Sequence, residues 1–154
     1  MATYKQIGDG LITKLVAVSG FNTRTALPFT GSVVDFYNNH TCNTPFALVA
    51  FDGAEYDGFV NDNTIANERA RFKITVVAQD LRGQGYSMDD NSTLLDLIRD
   101  AIQGVSLTYL VGAVVTVLPG LEPVKLELIE PDADLSELGL TAYVFRVSTA
   151  QVRQ

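Results

Sequence analysis

Little in this chain is equipped for covalent chemistry. Its 154 residues include one cysteine, Cys42, one histidine, His40, and no tryptophan. A single cysteine excludes an intramolecular disulfide and makes a reducing compartment the expected one. With one histidine, no Ser/His/Asp set can be assembled. His40 and Cys42 lack the second donor pair that tetrahedral zinc requires. They also lack the orienting acid and oxyanion donors of a Cys–His nucleophile. There is no Gly-Lys-Ser/Thr, so Gly83-Gln84-Gly85 is not a Walker loop, and Asp89 and Asp90 beyond it would repel a phosphate.

Positive charge is scarce as well. Eleven Lys and Arg stand against eighteen Asp and Glu, a net charge of −7. A general nucleic-acid surface needs clustered cations, as does docking on anionic membranes; the balance argues against both. Long hydrophobic runs are missing. Val105 to Leu118 is too short and too interrupted to span a bilayer. The first residues carry Lys5, Asp9 and Lys14 with no separate apolar core or cleavage site. Asn39-His40-Thr41 and Asn91-Ser92-Thr93 fit the glycosylation sequon, but without a secretory signal they read as chance. The expectation is a soluble intracellular protein with no membrane contact and one domain spanning 1–154. A chain of this size buries about 70% of the surface its unfolded form exposes.

What the chain does contain is centred on 69–104. Ala70, Phe72, Ile74, Val76 and Ala78 alternate with Arg69, Arg71, Lys73 and Thr75, a period of two in which only Val77 breaks the polar face. A glycine-punctuated loop from Asp80 to Gly85 follows. Asp89, Asp90, Asn91 and Ser92 are N-caps or first-turn acids. Leu94, Leu95, Leu97, Ile98, Ala101 and Ile102 then recur at helical spacing, and Gly104 closes the helix.

Before this unit, Tyr4, Ile7, Leu11, Ile12, Leu15 and Val18 predict a helix over 3–19 with Thr3 as N-cap and Gly20 as its end. Gly8 and Gly10 either admit a close backbone neighbour or leave weak first turns, at roughly 1 kcal/mol each. Residues 21–31 read as loop, 33–37 as a short helix capped by Ser32, and 46–51 as a strand apolar on both faces. Asp52-Gly53 reads as a turn, and 52–67 as a long hairpin or protruding loop. Further strands are expected over 112–118, 124–128 and 142–148, with one helical turn at 134–138. The order is helix, strand, strand, helix and three strands. It gives an α+β fold, a mainly antiparallel sheet with two amphipathic helices packed on one face.

Two acidic groups invite a cation, Asp52 with Glu55 and Asp57, and Asp80 with Asp89 and Asp90. The first fails the EF-hand register. A solvated turn is its ordinary reading.

Several pieces together resemble one family. Pro45-Phe46-Ala47-Leu48-Val49-Ala50-Phe51-Asp52-Gly53 resembles its first strand, and Phe72-x-Ile74-x-Val76-x-Ala78-x-Asp80-Leu81-Arg82-Gly83 its second. Tyr86 with Leu94-Leu95-Asp96-x-Ile98-Arg99 resembles the helix that follows, and Tyr4, Ile7 and Leu11 fit the first helix. The family is the tail terminator, or tail completion, proteins of Mu-like contractile-tailed phages, and the resemblance covers roughly the first two-thirds of the chain. It implies a structural virion protein with no reaction to perform and no cofactor or metal. Such a protein forms a homo-hexameric ring on the head-proximal end of the tail tube. Its partners are the tail tube protein, the neck or connector protein and the terminal sheath subunits. DNA passes through the lumen without specific binding, and assembly takes place in the host cytoplasm.

A cyclic ring needs two different, mutually complementary patches per subunit. The two-sided strand 46–51 and Val77 are expected to offer apolar surface for them. Asp57, Phe59 and Asn61 are the expected contacts to the tube or an adjacent subunit, and Arg82 and Tyr86 those at a subunit boundary. Three alternatives stay open: a head–tail connector, a small metal-dependent hydrolase using the acidic groups above, and a peptide-binding module that uses a sheet edge.

Overall fold

The computed structural model describes residues 2–18, 26–28, 46–60, 65–79, 88–111, 114–117, 120–131 and 140–153. Helix α1 (Tyr4–Val16) starts as its sequence dictates. The Thr3 hydroxyl accepts from the Gln6 amide, and the Gln6 side chain accepts from the Thr3 amide, a reciprocal capping box. The helix stops at the Ala17 C-cap, short of the expected end at Ser19. Ile7, Leu11 and Leu15 are fully buried along one stripe.

Gly10 settles one open question. A Cβ there would stand 3.2 Å from the Leu107 Cβ and 3.3 Å from the Thr108 carbonyl oxygen. The glycine therefore admits a neighbouring backbone, at Leu107 and Thr108, against the helix.

Among the described residues the main sheet has five strands: β1 (Ala26–Pro28), β2 (Phe46–Val60), β3 (Ile65–Gln79), β6 (Lys125–Pro131) and β7 (Leu140–Arg153), in the order β1-β2-β3-β7-β6. All neighbours are antiparallel except β1, which runs parallel to β2. A separate hairpin joins β4 (Thr108–Val111) to β5 (Val114–Val117). Helix α2 (Met88–Ile102) follows β3. Its start at Met88 makes Asp89 and Asp90 first-turn acids. Gly104 takes a left-handed φ of 73° just past its end, and its amide donates to the Val124 carbonyl. The helix terminus is thereby tied to the chain entering β6.

Alternation sets the layers. Ala47 and Val49 of β2, Phe72, Ile74 and Val76 of β3, and Phe145 and Val147 of β7 face inward against Leu11 and Leu15 of α1 and Ile98 and Ile102 of α2. Both described helices lie on this one face of a mainly antiparallel sheet, an α+β fold.

Three expectations need correction. Residues 26–28 form a short strand where a loop is predicted. Asp52-Gly53 is no turn: β2 continues to Val60, and the register slips between Phe51 and Ala54 around Gly53, whose φ is 99°. This is a β-bulge, and a bulge carries the same glycine and acid types as a turn. The strand expected over 112–118 is, by contrast, present as β5, and what the sequence did not announce is its partner β4. Finally, Phe46, Leu48 and Val77 do not supply open apolar seams, because all three are buried within the single chain. The predicted short helix at 33–37, the glycine loop at 80–85, the helical turn at 134–138, and His40 with Cys42 lie outside the described residues.

Candidate functional site

Two constructions stand on the hairpin β2–β3 and its neighbours, one on each face of the sheet. The inner one continues the apolar rows of β3 and β7 with polar side chains. Glu68 is two residues before Ala70 and Gln151 is four after Val147, so both point inward, and both are buried. Gln151 clamps the start of the chain. Its Oε1 accepts from the Ala2 amide at 3.1 Å, and its Nε2 donates to the Ala2 carbonyl at 3.0 Å and to Glu68 Oε1 at 3.2 Å. The Tyr4 hydroxyl donates to Glu68 Oε2 at 2.9 Å and lies 3.2 Å from the Tyr56 hydroxyl. These bonds tie α1 to β2, β3 and β7 in the half of the hairpin nearer Val60 and Ile65.

Tyr4 also stacks on Phe51, with ring centroids 4.3 Å apart, and Phe51 meets Phe72 edge-on. Beside them lies an apolar groove of about 200 Å³, lined among others by Gly8, Ile12, Pro28 and Val49. Phe51 is 45% exposed at its mouth.

The contact with Tyr56, then burial, then the Glu68 carboxylate hold the Tyr4 hydroxyl above the usual tyrosine value of about 10. Above that pH the unfolded chain has released the Tyr4 proton while the folded chain keeps it. Stability is therefore insensitive to this group at lower pH and declines as pH rises beyond it. Urea midpoints measured from pH 8 to 11 should fall more steeply for the wild type than for Tyr4→Phe. Parallel curves would show that the hydroxyl is not held in this way.

The outer construction is a grid of charges. Arg146 of β7 reaches Asp52 at 2.9 Å and Glu130 at 3.1 Å, spanning from the bulge of β2 to β6. Arg71 of β3 pairs with Glu55 and lies 3.7 Å from Glu127. The bond from Arg71 holds the Glu55 carboxyl below its usual range. Beyond this grid, towards Phe46 and Leu48, the same face turns apolar and buried.

The grid engages two of the three residues of the first acidic group. Asp52 and Glu55 each serve an arginine, and among the described residues no three His, Cys, Asp or Glu are grouped to hold a metal. Asp57 and Phe59 lie in the distal part of β2, flanking a second register slip opposite Asn67 and Ala66. Asn61, Arg82 and Tyr86 lie outside the described residues. The polar cluster of Tyr4, Glu68 and Gln151 is absent from the expected sites. Its signal was the period of two, which carries the inward register past Ala70 and Val147 onto polar residues.

No family model and no curated protein matches the chain. Among solved structures, a chain described as "Virion of native gene transfer agent (GTA) particle" superimposes with a TM-score of 0.55 at 14% identity. The match covers 99% of this chain and 100% of that chain. At that identity the likeness is one of fold.

Proposed function

We propose that this chain is a structural protein of a phage-like virion and, within it, the tail terminator. Six copies form a ring on the head-proximal end of the tail tube. They meet the tube protein below, the neck or connector protein above and the terminal sheath subunits around them. The observation that carries the reading is the end-to-end correspondence with a virion chain, in which neither protein has a portion left over beyond a few residues. The family resemblance of the strands at 45–53 and 72–83 points the same way. The net charge of −7 suits a lumen through which DNA slides, since phosphates find few counter-charges to hold them. On this reading Asp57, Phe59 and Asn61 face the tube or an adjacent subunit, and Arg82 and Tyr86 the subunit boundary.

Immunogold labelling of native particles tests it. Label confined to the junction of tail and head is expected. Label on the capsid shell, along the tube, or missing from the particle would refute it.

A further inference from the structure

The two outward surfaces of the subunit carry opposite spare charge around one exposed leucine each. On the open part of the sheet's outer face, Leu128, Arg146 and Lys73 form one row across β6, β7 and β3, and Lys125 stands in the adjoining row opposite Ser148. Leu128 is 47% exposed. Arg146 is already held between two acids, whereas Lys73 and Lys125 form no ion pair among the described residues.

On the far side of the helix layer, α2 buries Ile98 and Ile102 and turns Asp96, Leu97 and Asp100 outward. Leu97 is 42% exposed. Asp96 and Asp100 share a single cation, Arg99, at 3.2 and 3.4 Å, which leaves this helix surface with excess negative charge.

We infer that the outward face of α2 in one copy seats on the open, charged part of the sheet in a second copy, head to tail. Leu97 then packs on Leu128, and Asp96 and Asp100 take Lys73 and Lys125. The two lysines stand farther apart on the sheet than the two aspartates on the helix, and their flexible stems close the difference. Lys73 and Leu128 are two strand spacings apart, about 10 Å, the width of a helix with its side chains. Asp96 and Asp100 are one turn apart, about 6 Å along the axis. The two patches differ and lie on opposite sides of the subunit, so the contact is heterologous and propagates until a rotation closes it. This contact rests on the ring reading above and assigns the surfaces that build the ring.

The test uses the purified full-length protein. In a Cys42→Ala background, Leu97→Cys combined with Leu128→Cys should give, on mild oxidation, a ladder of cross-linked species ending at the hexamer. Neither single cysteine variant should extend past a dimer. Lys73→Glu with Lys125→Glu should weaken self-association in sedimentation at least tenfold. Adding Asp96→Lys and Asp100→Lys to the same chain should restore it, and raising salt should weaken the wild-type contact. Circular dichroism melts confirm that each variant is folded.

Rings that form without the ladder, or that ignore the charge reversal, would overturn this surface and leave the ring reading standing. A wild-type protein that stays monomeric at every concentration would overturn the contact. Gold label away from the tail end would instead defeat the terminator reading while leaving a positive ladder intact.

Discussion

Phe145→Ala should lower the melting temperature by roughly 10 °C. Phe145 is fully buried at the middle of β7, between Ile74 of β3 and Ile129 of β6, under the helix layer. Truncating a buried phenylalanine costs about 3–5 kcal/mol, because the lost transfer energy is joined by an unfilled cavity. For a chain of this length each kcal/mol moves the midpoint by about 2–4 °C. Urea titration and a thermal scan would both record the loss. A shift under about 3 °C would mean that the two helices do not close over the sheet as described. Phe145→Leu, which keeps most of the volume, should lose far less.

The second large effect is expected near the C-terminal end of the same strand. Gln151→Leu removes the three bonds that its amide makes with Ala2 and Glu68. The Ala2 amide and carbonyl are then left without this partner in a buried place. Each buried polar group stranded in this way costs about 1–3 kcal/mol, so a total near 3 kcal/mol is expected. Hydrogen exchange supplies a readout that a general loss of stability would not. Amides at the start of α1 should exchange faster relative to those in the middle of β3 and β7. Uniform acceleration across the chain would show that Gln151 has no particular hold on the N-terminal segment. Gln151→Glu keeps the acceptor for the Ala2 amide but loses the amide donor beside Glu68, and should fall at least as far as the leucine variant.

Much of the fold was legible because two periodicities were clean. The alternation from Arg69 to Ala78 and from Ala142 to Ser148 located the cores of β3 and β7. The three- and four-residue steps from Tyr4 and from Leu94 located both helices. The lengths of the strands were less visible. Past Phe51 the residues of β2 are polar, and Asp52-Gly53 has the composition of a turn. Only pairing with β3 shows that the strand slips register there and continues to Val60. β1 was hidden because three residues ending in proline carry no period, and its place is fixed by the neighbouring β2. The cluster of Tyr4, Glu68 and Gln151 joins positions 149 residues apart in its longest link. No local pattern announces such a partnership, although the inward register of each strand does.

The apolar residues Phe46, Leu48 and Val77 were expected to await a neighbour, and they are instead enclosed in the lone chain. That enclosure separates two events in time. On the proposed ring reading, a newly made copy has no sticky strip here that must find a mate at once, so it can wait as a finished part. On that reading its moment of use is set by weaker, reversible contacts at the periphery, which salt and concentration can tune.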